Sequence, residues 1–218
     1  MGFYKEMNSE LERTKYEEIL QLVGSLSRLF SVSDVPYLAS RTAENAFCEF
    51  LKADNWARHD VTADAVKKRV GIGIKTWVSS TGPSGNPWQK IAEFDKLRPH
   101  YEQDTPEEMM HKIAGYRNDR ISQTKEQCNI DYMIYHCIVR TKGEITIQEC
   151  PLTPIDIDRI QNVRKERNTV FFDDGVNRYK FTIPKSTLLK CFDDLEVVRR
   201  LPVSILDDPW APLRKILR

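Results

Sequence analysis

The chain has 218 residues, 40% hydrophobic and 30% charged, which suits one or two globular domains with a sizeable core. A net charge of +1 excludes a globally basic or acidic protein, so any nucleic-acid surface has to be a local patch. The five cysteines (Cys48, Cys128, Cys137, Cys150, Cys191) are odd in number and lack a Cys-x-x-Cys pair, and no apolar run reaches the roughly 18 residues of a membrane span; reduced thiols in a soluble, cytoplasmic protein are expected.

Ser9 and Glu12 fit a capping box, and Tyr16, Ile19, Leu20, Val23, Leu26 and Phe30 follow at helical spacing, which predicts a helix over about 9–30. Ser40 is placed to cap a second helix over about 41–53, with Ala43, Ala46, Phe47, Phe50 and Leu51 as its buried stripe. Glu44 shares a side with Phe47, Cys48 and Leu51; it reads either as a ligand or as a rim glutamate paired with Arg41 or Lys52.

The stretch 58–77 reads as two strands joined by the basic turn Lys67-Lys68-Arg69. Alternation puts Asp60, Thr62 and Asp64 on one side of the first strand. On the second it puts Gly71, Gly73, Lys75 and Trp77 opposite an apolar set of Val70, Ile72, Ile74 and Thr76. Glycines weaken a strand unless another backbone or a ligand comes close. Two carboxylates facing a lysine on one hairpin make either a metal-assisted hydrolysis site or an exposed hairpin that the charges solvate.

Residues 79–87 form a loop rich in Ser, Gly and Pro, either a flap or a plain connection. Pro87–Phe94 reads as a helix with proline in its first turn, Gln89 and Glu93 one turn apart and aimed back at the hairpin. Thr105-Pro106-Glu107-Glu108 opens a helix to about Lys125, with Met109, Ile113, Tyr116 and Ile121 inward and Arg117, Asn118 and Arg120 outward. Strands are expected at 131–139, 144–150, 155–160, 169–172 and 177–183, with a turn at Asp173-Asp174-Gly175 and a short helix over 186–192. His136 reads as a satisfied core histidine. The last residues, 207–218, resemble the opening of a helix, so the natural chain is expected to continue, or this end to dock on something.

No phosphate-binding Gly-rich loop, paired-cysteine zinc spacing, Gly-x-Ser-x-Gly elbow or His-x-Lys phosphodiesterase signature occurs, and Gly71-Ile72-Gly73 is too short for a dinucleotide fingerprint. Kinases, dehydrogenases, zinc hydrolases and serine hydrolases therefore leave the front rank.

The order helix-glutamate (Glu44), strand-aspartate (Asp64) and Gly73-Ile74-Lys75 resembles the PD-(D/E)xK nucleases, the fold of many type II restriction endonucleases. The segments RTAENAFCEF (41–50), HDVTADA (59–65), VGIGIKTW (70–77) and QKIAEFDK (89–96) are also similar to a group of restriction-endonuclease-like proteins. In that group such a domain can precede a phospholipase-D-type nuclease domain. Gly73 stands where the family has its second acid, and family members can move that carboxylate to a neighbouring helix, which would make Glu44 or Glu93 the substitute.

The resemblance implies an α/β (α+β) fold, a mixed central sheet flanked by helices, with a β-rich C-terminal half. The expected division is a nuclease-like core with a helical N-terminus over 1–128 and a β-rich continuation over 129–218, or one compact domain. It implies Asp64, Glu44 and Glu93 as ligands of Mg2+ or Mn2+ and Lys75 beside the attacking water. Residues 151–190 hold eight Lys/Arg against five Asp/Glu, and Arg164, Lys165, Arg167, Asn168, Arg178 and Lys185 are the expected contacts to double-stranded DNA. A homodimer, or a further nuclease domain or subunit, is an expected partner; a membrane is not. The alternative is a DNA-binding specificity or regulatory domain with a degenerate site, and a third reading is an adaptor with no nucleic-acid role.

Overall fold

The structure, a computed structural model, describes residues 2–57, 61–79, 87–193 and 195–216. In chain order the helices are α1 (Phe3–Glu6), α2 (Glu10–Ser25), α3 (Ser40–Phe50), α4 (Pro106–Gln127) and α5 (Trp210–Ile216). The strands are β1 (Asp54–Asn55), β2 (Ala65–Lys67), β3 (Val70–Val78), β4 (Trp88–Glu93), β5 (Tyr132–Thr141), β6 (Glu144–Pro151), β7 (Gln161–Glu166), β8 (Thr169–Asp173), β9 (Arg178–Thr182), β10 (Thr187–Cys191) and β11 (Val197–Pro202). The molecule is mixed α/β, its sheets flanked by helices. Among the described residues no helix is long and apolar enough to cross a membrane.

Contacts divide the chain into two units that interleave in sequence: Met1–Asn86 with Ile130–Leu152 and Leu195–Arg218, and Pro87–Asn129 with Thr153–Asp194. A boundary at 128 was expected because composition changes there. It does not mark the division of contacts, because strands from both halves of the chain complete each sheet.

The first unit is a six-stranded sheet in the order β1-β2-β3-β5-β6-β11, antiparallel except for the parallel pair β3–β5. Tyr16 and Leu20 of α2 and Ala43, Ala46 and Phe47 of α3 pack with Val70, Ile72 and Ile74 of β3 in one core. The Ser9–Glu12 capping box forms as the sequence predicts, both reciprocal bonds present, so local chemistry starts α2. The helix stops at Ser25 and continues only as a 3-10 turn over Ser27–Leu29. Ser40 is the first helical residue of α3 rather than its cap; Ala39 holds the cap position without a side-chain bond.

Residues 58–60, and with them Asp60, lie outside the described residues, as does most of the 79–87 loop. The first strand of the hairpin is shorter than expected. It begins at Ala65, and the two-residue turn Lys68-Arg69, both at positive φ, returns the chain into β3. Lys67 is therefore a strand residue. It is buried, and its ammonium donates to Asn8 Oδ1 (2.8 Å), Glu12 Oε1 (3.2 Å) and the Leu51 carbonyl.

His136 is fully buried and satisfied, with Nε2 3.2 Å from Tyr16 Oη and Nδ1 3.1 Å from Glu149 Oε1. Glu149 Oε2 in turn accepts the Tyr4 amide.

The second unit is a five-stranded antiparallel sheet in the order β4-β10-β9-β8-β7, packed on α4 through Met109, Met110 and Ile113. Several expectations are corrected here. Residues 88–93 form an edge strand rather than a helix, since proline at a strand entrance is as acceptable as at a helix start and pairing with β10 decides. Residues 187–191 are a strand as well, between β4 and β9. The expected strand at 155–160 is irregular, with a 3-10 turn at Ile157–Arg159, and residues 161–166, between two expected strands, form β7. Arg117, Asn118 and Arg120 do not make a solvated face. Arg117 is buried, Asn118 bonds both backbone polar groups of Ile155, and Arg120 lies 4.9 Å over the Phe94 ring.

Candidate active site

The site begins just ahead of β2. Asp64 precedes the strand, yet its amide still donates to the Ile72 carbonyl at 2.8 Å. Its side chain then takes the next place in the ladder: Oδ2 accepts the Ile74 amide at 2.7 Å. The carboxylate thus stands where a strand carbonyl would, and is fixed by a charge-assisted bond. Lys75 is the next residue along β3, and its Nζ lies 3.9 Å from Asp64 Oδ2. Both side chains are 24% exposed, so the pair is accessible but partly shielded from water.

Glu44 comes from α3, whose neighbouring residues Ala43 and Phe47 anchor it in the β3 core. Its side chain is only 13% exposed, and Arg41 Nη1 lies 2.7 Å from Oε2. That contact is close but off the hydrogen-bond direction, so Oε2 is buried without an aligned donor. Burial above all, and then the Asp64 carboxylate, push the Glu44 carboxyl above its ordinary value, while Arg41 and Lys75 oppose the rise. Glu44, Asp64 and Lys75 therefore share one electrostatic neighbourhood. Cys48, one turn on from Glu44, is pushed up to about 11 by burial and by the carboxylates of Glu44, Asp64 and Asp54. It is a neutral thiol at the edge of the site, not a thiolate nucleophile.

Glu93 belongs to the other unit. It lies on β4, where its carboxylate pairs with Lys90 at 2.9 Å. Among the described residues no group of three His, Cys, Asp or Glu side chains could hold a metal ion; the described carboxylates that act electrostatically with Lys75 are Asp64 and Glu44.

The glycines of β3 have a different role from the one expected. A Cβ at Gly73 would come 3.1 Å from Tyr135 Cδ1 and 3.3 Å from Leu152 Cδ1, and one at Gly71 would come 2.8 Å from Ile130 Cδ1. They make room for side chains of the same unit rather than for a ligand, and Tyr135 fills the space beside Gly73. The signal for this lay in the parallel pairing of Gly73 with Tyr135, a partner 62 positions away that no local pattern reveals.

The residues expected to contact DNA all fall in the second unit. Arg164 and Lys165 are exposed on β7, with Arg164 paired to Glu166 at 2.9 Å. Arg167 and Asn168 form the β7–β8 turn, Arg167 at positive φ. Arg178 pairs with Asp193, and Lys185 ends the 3-10 turn Ile183–Lys185. Comparison with family models, with curated proteins and with solved structures finds no match to this chain.

Proposed function

We propose that the chain is a metal-dependent endonuclease of the PD-(D/E)xK, restriction-enzyme-like kind, hydrolysing phosphodiester bonds of double-stranded DNA. The observation that carries this reading is the electrostatic coupling of Glu44 on a helix, Asp64 at a strand start and Lys75 on the following strand. The order along the chain is the one the resemblance implies.

Asp64 and Glu44 fit a hard divalent cation. Their donors are oxygens only, and one or two carboxylates with several waters are what magnesium takes. Burial first and Asp64 second raise the Glu44 carboxyl, and a cation held by these carboxylates would relieve the part due to Asp64. Bound there, Mg2+ or Mn2+ would supply charge neutralisation at the phosphate and an acidified water. Lys75 would hold the attacking water or hydroxide, or balance charge on the scissile phosphate, and the Ile74 amide keeps Asp64 aimed. Arg164, Lys165, Arg167, Asn168, Arg178 and Lys185 would grip the backbone. A homodimer or a further nuclease domain would complete the assembly, in a cytoplasmic setting that suits the five free cysteines.

One observation favours a second reading, a DNA-binding specificity or regulatory domain with a degenerate site acting beside a separate catalytic domain. Tyr135 and Leu152 crowd the position of the second acid, and Glu44 alone has to replace it. The experiment that decides is plasmid cleavage by the full chain in Mg2+ or Mn2+, alongside Lys75→Ala. Hydrolysis lowered roughly 100-fold or more in the variant supports the nuclease. Metal binding without hydrolysis in the unmutated chain supports the second reading, and cleavage that survives Lys75→Ala overturns the site.

A further inference from the structure

The sheet of the second unit has two unlike faces. Val170, Phe172, Tyr179, Phe181 and Leu188 are buried against α4. On the opposite face the register sets one row across all five strands: Arg164 beside Phe171, Phe171 beside Lys180, Lys180 beside Leu189 and Leu189 beside Lys90. Trp88 shares that face, two residues before Lys90 and opposite Cys191. Phe171, Lys180, Leu189 and Trp88 are half-buried, and the Arg164 side chain is 65% exposed.

Cations and rings interleave along the row. The Lys180 ammonium lies 4.8 Å over the Trp88 ring, and the Arg164 guanidinium 4.8 Å over Phe171. The two rings meet edge to face at 6.2 Å. The row carries three cations and no carboxylate of its own; from the rows on either side Glu166 pairs with Arg164 and Glu93 with Lys90, each at 2.9 Å, and Asp173 also stands there. The Glu93 side of the sheet opens on a cavity of about 560 Å³ lined by Lys90, Lys185, Thr182 and Thr187 together with Glu93 and Asp95.

We propose that this outer face is a docking platform for an unpaired DNA strand, its bases stacked on Trp88 and Phe171 and its phosphates met by Arg164, Lys180 and Lys90. Rings on an open sheet recognise the flat faces of bases, and a duplex hides those faces in its stack. The cations give the charge complement to a backbone that crosses a row about 19 Å long. Burial holds the Lys180 amine below its ordinary value, and a phosphate beside it favours the charged form. The choice of DNA over RNA rests on the hydrolase reading; the stacking geometry does not.

The test is fluorescence anisotropy of a labelled oligothymidine of about 12 nucleotides with the full chain in EDTA, where no hydrolysis intervenes. The unpaired oligonucleotide should bind at least about tenfold more tightly than a duplex of the same length. Trp88→Leu and Phe171→Ala should each weaken it by roughly 5- to 100-fold, and Trp88→Phe should retain most of the affinity. Lys180→Gln should reduce the log-log salt slope by about 0.7, and this decides the matter should either ring variant fail to fold. Asp64→Ala should leave binding unchanged, so a failed nuclease site and a failed platform read differently. Duplex binding as tight as single-strand binding, or unchanged affinity in folded Trp88→Leu, overturns the platform; tighter binding of oligouridine overturns the choice of DNA.

Discussion

Asp64 reaches Lys75 because its side chain prolongs the β2–β3 ladder past the end of β2: Oδ2 accepts the Ile74 amide at 2.7 Å and lies 3.9 Å from Lys75 Nζ. The fold therefore holds the aspartate beside Lys75. Asp64→Ala should cost about 1–3 kcal/mol in stability by leaving the Ile74 amide without that acceptor, and Asp64→Asn, which keeps an oxygen there, should cost less. Both should weaken Mn2+ binding in calorimetric titration, while Lys75→Ala leaves it as it was. Wild-type Mn2+ affinity in Asp64→Asn would remove Asp64 from the ligand set.

Lys67 and Lys75 sit on one hairpin and should fail in opposite ways. Lys67 is buried and satisfies Asn8, Glu12 and the Leu51 carbonyl, so Lys67→Met should lower stability by roughly 3 kcal/mol, read as a shift in urea midpoint at constant slope. Lys75→Ala removes a partly exposed side chain and should shift that midpoint far less.

The parts of this molecule that are legible in its sequence are the local ones. Ser9 with Glu12 and Thr105 with Glu108 start α2 and α4 through bonds spanning three residues, and both capping boxes form. The apolar alternation of Val70, Ile72 and Ile74 identifies the core face of β3 for the same reason. Trp88–Glu93 is a strand because it pairs with Thr187–Cys191 across nearly a hundred residues, and Thr187–Cys191 is held between that strand and β9; each alone has the mixed pattern of a short helix. Asp64 and Lys75 could be paired from the resemblance, although the strand expected to carry Asp64 starts only at Ala65. Nothing local predicts that Asp64 would replace a strand carbonyl, or that Tyr135 would occupy the space beside Gly73.

Glu44 makes the fold pH-dependent in a definite direction. Its carboxyl is raised by burial and by Asp64, so the folded state holds the proton more tightly than the unfolded chain. Its contribution is fully favourable below the ordinary carboxylate value and is lost as pH rises through the raised one, so at neutral pH the charged group opposes folding. Glu44→Gln should accordingly raise the melting temperature at pH 7, with the gain vanishing in acid below the ordinary value. The same variant should weaken Mn2+ binding. A melting temperature that falls at pH 7 would mean that the contact with Arg41 outweighs the burial penalty.

Gly73 offers the sharpest discrimination between a working site and a degenerate one. A Cβ there requires the Tyr135 ring to give by a few tenths of an ångström, and the rest of a glutamate side chain requires more. Gly73→Glu alone should therefore destabilise the fold by about 1–3 kcal/mol through overpacking. Tyr135→Val removes the ring while keeping a strand-compatible side chain, at a cost of about 2–4 kcal/mol for the lost buried volume. In the double variant the new side chain fills the vacated space, so the combined loss should fall short of the sum, as expected for residues in contact. If Asp64 and Glu44 hold a cation, the added carboxylate on the Lys75 side of β3 supplies a third oxygen donor. Mn2+ should then bind the double variant more tightly than the unmutated chain, measured by calorimetry without reference to cleavage. Equal or weaker Mn2+ binding in a folded double variant would mean that this face of β3 does not point at a metal, and the nuclease reading would fail with it.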